Sequence, residues 1–211
     1  MAGLRERKKQ QTRQHISDVA TRLFLERGFV TVTVAEVADA ADVSVNTVYN
    51  YFPAKEDLFF DREEEVVDLP SRRVRERGPG QSAADALLGG LRQDVEERSS
   101  RVGLQGGYDR FLQVIQAAPT LQSRLMGMQI RMSGRLAETL RGEAGAGPDD
   151  HTPEVVAGQL MLLYGIAFRT VAHGTAEGAS EDDIARLLLE KLDTLERLYG
   201  DEVRGYLRRP A

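Results

Sequence analysis

Apolar residues along this chain repeat at helical spacing, and no convincing alternating strand pattern occurs. Five of them follow the i, i+3, i+4, i+7, i+8 pattern of an amphipathic helix: Ile16, Val19, Ala20, Leu23 and Phe24. They predict a first helix over about residues 9–27. Gly28 is expected to end it, because glycine readily adopts the left-handed conformation that follows many helices.

A helix-turn-helix is predicted next. Thr33 and Glu36 have the spacing of a capping box, in which each side chain bonds the other residue's backbone N–H, so a short helix starts there. After a tight turn, Ser44 can cap a second helix. Pro53 has no amide hydrogen and ends that helix at Phe52. With the first helix, these segments form a three-helix unit with its own core.

The remainder of the chain is also helical, with breaks rich in glycine and proline. We expect helices over about residues 55–70, 82–100, 104–117, 120–144, 153–174 and 180–199. The predicted fold class is therefore all-α. Two domains are expected, a helix-turn-helix domain with a basic N-terminal extension (residues 1–53) and a larger helical domain (residues 54–211).

Charge is distributed unevenly along the chain. The 211 residues carry a net charge of −5, but residues 1–13 carry +4 and residues 1–55 carry +2, which leaves −7 for the rest. A basic end on an acidic body suits a protein that presents that end to a polyanion. A solvated terminal run of charge is the alternative.

Composition disfavours several other classes of protein. The chain has no cysteine and three scattered histidines, so neither a metal site nor a cofactor is expected. No phosphate loop, carboxylate pair or nucleophile arrangement has a diagnostic spacing, which argues against an enzyme. No apolar run approaches the roughly 18–20 uncharged residues of a membrane helix, and the N-terminus lacks a signal peptide's apolar stretch. We expect a soluble, cytoplasmic protein without membrane contact.

The predicted second helix of the helix-turn-helix, SVNTVYNYF, is polar but uncharged. At 3.6 residues per turn, Val45, Val48 and Phe52 share one face and are expected to pack on the two preceding helices. The other side and its flanks carry amides, hydroxyls and phenols: Asn46, Thr47, Asn50, Tyr49 and Tyr51. Such groups can hydrogen-bond base edges and phosphates in a DNA major groove. The alternative is a solvated face with the tyrosines folded back on the core.

The stretch TVAEVADAADVSVNTVYNYFPAKEDLF resembles the DNA-binding signature of the tetracycline-repressor (TetR) family of bacterial regulators. The matching residues are Thr33, Ala38, Ala41, Val43, Ser44, Thr47, Val48, Tyr49, Tyr51, Phe52, Lys55, Glu56 and Leu58. With upstream matches at Ala20, Phe24 and Gly28-Phe29, the resemblance covers about residues 9–60. It implies a homodimeric regulator, usually a repressor, which leaves a palindromic double-stranded DNA operator when a small-molecule effector binds the C-terminal domain.

The resemblance also implies roles for individual residues. Thr33 and Ser44 match helix-start residues whose hydroxyls approach phosphates. Tyr49, Tyr51 and Lys55 match positions that hold the DNA backbone. The candidate DNA-binding residues are therefore Thr33, Ser44, Val45, Asn46, Thr47, Tyr49, Asn50, Tyr51 and Lys55.

Two residues depart from the family pattern, and one further segment is shared with some relatives. Asn46 stands where many have glycine, and because asparagine can hold adenine through two hydrogen bonds, it is the preferred specificity residue. Ala54 replaces a common Ser or Thr, so the fourth helix is expected to lack a side-chain cap. In some relatives a basic segment like Arg5–Arg13 reaches the minor groove or phosphates; a disordered solubilising tail is the alternative.

Dimerisation is expected through the helices at about 153–174 and 180–199, as in the family. Their apolar stripes are Leu160, Leu163, Tyr164, Ala167, Phe168 and Val171, followed by Ile184, Leu187, Leu188, Leu195 and Leu198. Gly158, Gly165 and Ala172, seven residues apart, form a small-residue ridge that permits close helix approach. The alternative is that these stripes serve the core of a single chain.

An effector site is expected inside the helical domain. The candidate ligand-binding residues are Phe59, Tyr108, Phe111, Met126, Gln129, Ile130, Arg131, Tyr164 and Phe168. Methionine adapts to irregular ligands, although a methionine stripe is also typical of a core. Arg124 and Arg135 are expected to be solvated. Ligand binding is expected to tilt the helix that begins at Lys55.

Other functions stay open at this point. A transcriptional activator and an effector-independent DNA-binding protein share the same fold and motif. An all-helical enzyme is disfavoured by the missing catalytic patterns.

Overall fold

The computed structural model describes residues 2–210, except the side chains of residues 2, 4 and 5. The side chain of Arg5, which opens the predicted basic segment, therefore lies outside the described residues. All regular secondary structure in the described range is helical, which confirms the all-α class. In chain order the helices are α1 (Ala2–Arg27), α2 (Val34–Ala40), α3 (Val45–Tyr51), α4 (Lys55–Phe59), α5 (Glu63–Glu76), α6 (Ala83–Glu96), a 3-10 helix (Ser100–Val102), α7 (Tyr108–Gln116), α8 (Pro119–Ala144), α9 (Thr152–Ala176), α10 (Glu181–Leu198) and α11 (Asp201–Gly205).

The first helix is longer than predicted. It begins at Ala2 rather than at about residue 9, and residues 6–10 are exposed. Lysine, arginine, glutamine and glutamate are strong helix formers, so intrinsic propensity extends α1 beyond its apolar stripe. Gly28 ends the helix as predicted, with a positive φ of 88°.

The single helix predicted over residues 55–70 is wrong, because the chain forms two helices there. A turn at residues 60–62 separates α4 from α5, and α5 continues past Pro70. Proline removes one helical hydrogen bond, yet Pro70 is buried together with Val67 and Val74. The packing of this apolar face outweighs the unfavourable intrinsic propensity of proline.

Smaller differences occur around α6, α7 and the C-terminus. The helix α6 ends at Glu96 rather than about residue 100, and Arg98 has a positive φ of 50°. Gly107 has a φ of 91°, so α7 begins at Tyr108 rather than about residue 104. The helix α11 was not predicted, since five residues are too few for a periodic pattern.

Packing divides the chain into two compact units. The first comprises Met1–Glu64 with Arg110–Met126, and the second comprises Glu65–Asp109 with Gly127–Ala211. These bounds differ from the expected domains, because α4 and most of α7 pack with the helix-turn-helix.

The core of the first unit is rich in phenylalanine. Its fully buried side chains include Ile16, Phe24, Val37, Val48, Phe52 and Leu58. The rings of Phe59 and Phe111 stack with their centroids 4.9 Å apart. Arg124 was expected to be solvated, but it pairs with Asp57 at 2.7 Å and with Glu63, so it joins α8 to α4 and α5.

The core of the second unit is built on α6, α9 and α10. The buried side chains of this core include Leu87, Leu91, Leu136, Leu140, Leu160, Leu163, Ala167, Val171, Ile184 and Leu188. The helix α9 is long and apolar enough to cross a membrane by composition alone, but it packs here against α6 and α10. Arg135, also expected to be solvated, lies 3.8 Å from the Asp68 carboxylate.

Candidate DNA interface

The start of α2 is fixed by the predicted capping box. The Thr33 hydroxyl accepts a hydrogen bond from the Glu36 N–H at 3.2 Å, and the Glu36 carboxylate accepts one from the Thr33 N–H at 2.8 Å. Arg27 at the end of α1 pairs with the same carboxylate. The Thr33 N–H, Arg27 and the Thr33 hydroxyl together lower the pKa of Glu36 to about 2.

The turn between α2 and α3 uses an aspartate in the left-handed conformation. Asp42 has a φ of 53°, and its N–H donates to the Asp39 carbonyl at 3.1 Å. The Val43 N–H donates to the Ala38 carbonyl at 3.0 Å. This pair of bonds forms a Schellman motif, in which glycine usually occupies the position of Asp42. The turn is therefore well formed but carries local backbone strain.

Ser44 caps α3 as predicted. Its hydroxyl oxygen accepts a hydrogen bond from the Thr47 N–H at 3.0 Å and lies 2.8 Å from the Thr47 hydroxyl. Both hydroxyls are therefore held at the N-terminus of α3, where the helix dipole favours an anion such as phosphate.

The two faces of α3 differ in exposure. Val48 and Phe52 are buried as predicted, but Val45 is 40% exposed, so its expected place in the core is wrong. Val45 lies in the first turn of the helix, which projects beyond the core. The exposed side of α3 consists of Val45, Asn46, Tyr49 and Asn50, with Tyr51 and Thr47 half-buried at its edges.

The C-terminal end of α3 is held by an arginine of α1. Arg13 donates hydrogen bonds to the carbonyls of Tyr51 at 2.9 Å and Asp61 at 3.1 Å. Its guanidinium also lies over the Phe52 ring, 4.4 Å from the centroid. Arg13 was expected in a DNA-binding or disordered segment, because the spacing of residues in the sequence does not indicate contacts with residues 38 and 48 positions away.

Lys55 and Ala54 sit at the start of α4. The Lys55 ammonium donates to the Phe29 carbonyl and lies 4.3 Å from the Phe29 ring centroid. Burial lowers the pKa of Lys55. Ala54 provides no side-chain cap, as predicted, but the Asp57 carboxylate accepts from the Ala54 N–H at 2.8 Å, so half of a capping box remains.

The candidate ligand-binding residues fall into both compact units. Phe59 is buried, Phe111 half-buried and Met126 exposed in the first unit. In the second unit Gln129, Ile130 and Arg131 are exposed, whereas Tyr108, Tyr164 and Phe168 are half-buried. No group of three or more side chains able to hold a metal ion occurs within residues 2–210 as described.

A polar network that the sequence did not predict fixes Tyr164. Arg73 of α5 donates to the Tyr164 hydroxyl at 3.0 Å and to the Gly90 carbonyl at 2.9 Å. Arg73 and Arg101 pair with different oxygens of Asp94, which is almost fully buried on α6. Burial raises the pKa of Tyr164. The network joins α5, α6 and α9. Its residues are too far apart in the sequence for a motif to indicate that they are in contact.

A capped helix that follows a tight turn and exposes polar side chains on a three-helix support defines a helix-turn-helix DNA-binding protein. Residues 16–61 match the family model of "Bacterial regulatory proteins, tetR family". Over this segment the chain is similar to the TetR family of transcriptional regulators.

Two curated relatives show how far the similarity extends. The chain is 26% identical over 151 residues to the HTH-type transcriptional regulator TcmR of Streptomyces glaucescens, covering 70% of this chain and 67% of that protein. It is 44% identical over 59 residues to the regulator AcrR of Shigella flexneri, covering 28% of this chain and 27% of AcrR.

Solved structures share the fold. NalD, the secondary repressor of the MexAB-OprM multidrug efflux pump in Pseudomonas aeruginosa, aligns with a TM-score of 0.59 at 19% identity, covering 88% of this chain and 96% of NalD. The SmeT–triclosan complex aligns with a TM-score of 0.61 at 16% identity, covering 95% and 99%. At these identities, the likeness establishes a common fold alone.

Proposed function

We propose that this protein is a homodimeric, cytoplasmic repressor that binds a palindromic DNA operator and releases it when a small molecule binds its C-terminal helices. The exposure of α3 is the main support for the DNA-binding part of this proposal. Its first turn and outer side present Val45, Asn46, Tyr49 and Asn50, while Val48 and Phe52 anchor it in the core.

Contacts to DNA are assigned by chemistry and position. Asn46 is exposed in the first turn of α3, and its amide can hold an adenine edge through two hydrogen bonds. Thr33 and Ser44 place hydroxyls at helix starts, where phosphates bind favourably. The proposed DNA-contacting set is Thr33, Ser44, Val45, Asn46, Thr47, Tyr49, Asn50, Tyr51 and Lys55. Within it, Lys55 also stabilises the first unit through the Phe29 carbonyl.

Dimerisation is proposed through a face of α9 other than the predicted stripe, together with two exposed residues of the stripe predicted on α10. Leu160, Leu163, Ala167 and Val171 are buried in the chain's own core, so they cannot form the contact. The outer face of α9 instead exposes Val155 and Leu162, and α10 exposes Leu187 and Leu198. On α9, Val155 and Leu162 lie about one helical turn on either side of Gly158, the first residue of the small-residue ridge.

The small-residue ridge fits close helix packing between two copies. A Cβ atom added at Gly158 would meet nothing within 4 Å, so no neighbour in the chain requires a glycine there. Glycine in a helix interior is destabilising by roughly 0.5–1 kcal/mol relative to alanine. Two half-sites read by one dimer would give the affinity that a single short helix lacks.

Effector release is proposed to act through the residues that link α4 to α5. The two helices are separate, so the single tilting helix expected from the sequence is replaced by a joint at residues 60–62. Arg13 bonds the Asp61 carbonyl in this joint and the Tyr51 carbonyl at the end of α3. The candidate ligand-binding residues stay a proposal for each unit by itself: Phe59, Phe111 and Met126 in the first, and Tyr108, Gln129, Ile130, Arg131, Tyr164 and Phe168 in the second. The SmeT–triclosan complex shows a small molecule on a protein of this fold.

Selection of bound duplexes from a random DNA pool by the purified protein tests the proposal. Recovery of a palindrome with two half-sites about one helical turn apart is expected. If no sequence is recovered above background, the proposal of a sequence-specific repressor is wrong. A small-molecule library, screened against the operator complex, then separates a regulated repressor from an effector-independent binder.

A further inference from the structure

One buried hydroxyl in the second unit makes no hydrogen bond within the chain. Ser71 of α5 is fully buried, and among the described side chains its hydroxyl is the one buried oxygen or nitrogen atom without a hydrogen-bond partner. Leaving a buried polar group unpaired is destabilising, so each such group in a folded protein requires an explanation. No role was predicted for Ser71, because a lone serine inside a helix carries no sequence signal.

Two further buried hydroxyls of this unit are bonded within the chain. The Ser82 hydroxyl accepts a hydrogen bond from the Asp85 N–H at 3.1 Å, at the start of α6. The Thr170 hydroxyl of α9 accepts one from the Lys191 ammonium at 3.0 Å. Among these three hydroxyls, that of Ser71 is therefore the one left to bond a group from outside the chain.

The buried charges of the second unit are also paired. Arg77 is buried and lies 2.5 Å from the Glu143 carboxylate. Asp94 is buried and pairs with Arg73 and Arg101. An ionised ligand would find its opposite charge already paired at these groups, and moving an ion into an apolar interior is costly. The unit therefore favours a neutral ligand.

Ser71 lies on an apolar face of α5. Its buried neighbours on that face are Val67, Pro70 and Val74. Asp68, three residues before Ser71, lies 3.8 Å from Arg135 of α8, so this side of α5 is next to α8. Met132 is buried about one turn before Arg135, and methionine adapts readily to the shape of a ligand. One hydroxyl among apolar side chains is typical of a site for a mainly apolar molecule.

We propose that Ser71 is the polar anchor of the effector site and that the effector is a neutral, mainly apolar molecule with a hydroxyl or carbonyl group. A serine hydroxyl can donate to either group, so binding provides the partner that Ser71 lacks within the chain. This inference rests on the proposed release by a small molecule, and it adds the chemical class of that molecule. It also gives the effector a direct contact with α5, the helix that follows the joint at residues 60–62.

The first test uses the free protein, because an unpaired buried hydroxyl is unfavourable. Ser71→Ala should raise the midpoint of thermal unfolding, since alanine removes the unpaired group. Ser82→Ala is the matched control, because Ser82 is equally buried but its hydroxyl caps α6, so the midpoint should fall. Ser123→Ala, at an exposed site on α8, measures the gain from helix propensity alone. A change for Ser71→Ala no larger than that for Ser123→Ala would overturn the inference.

The second test uses matched pairs of compounds. A library that pairs each neutral alcohol or ketone with its methyl or methylene analogue, and that also contains carboxylates and amines, is screened by the rise in the wild-type unfolding midpoint. Isothermal titration calorimetry then gives Kd for both members of each pair that binds. The polar member should bind the wild type about 2- to 12-fold more tightly. Ser71→Ala should lose this preference, and Ser82→Ala should keep it.

The outcomes separate this inference from the proposed function. The same preference in the wild type and in Ser71→Ala would overturn the role of Ser71 alone. Binding by carboxylates or amines instead of neutral compounds would overturn the proposed chemical class. If no compound stabilises the wild type, the effector site and this inference both fail, whereas operator binding is measured independently of them.

Discussion

The guanidinium of Arg13 donates a hydrogen bond of 2.9 Å to the carbonyl of Tyr51, the last residue of α3. The last carbonyls of a helix have no partner within the helix and carry partial negative charge. A cation of α1 therefore caps the C-terminal end of α3. Because the same side chain bonds the Asp61 carbonyl, it also fixes the chain between α4 and α5.

Arg13→Met should destabilise the first unit. Hydrogen bonds that involve a charged group contribute roughly 1.5–3 kcal/mol, and partial solvent exposure of Arg13 brings the expected loss to about 1–2 kcal/mol. Urea unfolding followed by circular dichroism measures the loss. The exposed Arg22→Met on the same helix is the control and should change little. Equal midpoints for the two variants would contradict a structural role for Arg13.

Asn46→Ala should weaken specific binding more than non-specific binding. A bidentate amide contact to adenine discriminates by about 1–3 kcal/mol, so operator affinity should fall about 5- to 150-fold. Affinity for a random duplex should stay nearly constant because the amide is uncharged. Anisotropy titrations with both duplexes decide this. A parallel loss on both would assign Asn46 to phosphate binding or folding instead.

Asp42→Gly should stabilise the helix-turn-helix. The φ of 53° at Asp42 is unfavourable for a residue with a Cβ atom, and glycine relieves up to about 1 kcal/mol there. DNA affinity should also rise, since an exposed negative charge is removed. Asp39→Gly is the matched control. It lies inside α2, where glycine costs roughly 0.5–1 kcal/mol, so thermal midpoints should move in opposite directions.

The helix-turn-helix was predictable because its signals are local. The cap at Thr33, the cap at Ser44 and the stop at Pro53 each depend on residues within one turn of the chain, and all three are present in the structure. The predicted start of α1 was wrong because intrinsic helix propensity, rather than apolar periodicity, determines where this helix begins. The prediction that a helix ends at Pro70 was wrong, because the packing of α5 outweighs the low helix propensity of proline.

The partners of charged side chains could not be predicted from spacing. Three arginines bond groups that are distant in sequence. Arg13 was expected in a DNA-binding or disordered segment and Arg124 in solvent, and no role was predicted for Arg73. The apolar pattern of α9 predicted that one face of the helix is buried. It did not show whether that face packs within the chain or against a second copy. A stripe that fits a dimer contact fits the core of one chain equally well, and Leu160 and Leu163 are in that core.

Glu36 should make the stability of α2 depend on pH in the acidic range. Its pKa of about 2 lies below the ordinary value of 4.5, so the ionised carboxylate contributes fully above about pH 4.5. That contribution is lost as the pH falls from 4.5 toward 2. Glu36→Gln should therefore flatten the loss of thermal stability across this window. The exposed Glu26→Gln is the control, and an equal flattening in both variants would contradict the assignment.

Gly158→Leu should weaken a dimer without unfolding the chain. A side chain at this position meets open space within the chain and removes the entropic cost of a helical glycine, so the monomer should be at least as stable. In a close contact between two α9 helices, overpacking of about 1–3 kcal/mol should weaken dimerisation about 5- to 150-fold. Gly134→Leu on α8 is the control, because it too would meet nothing within 4 Å. Sedimentation equilibrium gives both dissociation constants. A wild-type constant for Gly158→Leu would exclude the ridge from the interface, whereas weakening in both variants would point to a general effect of added bulk.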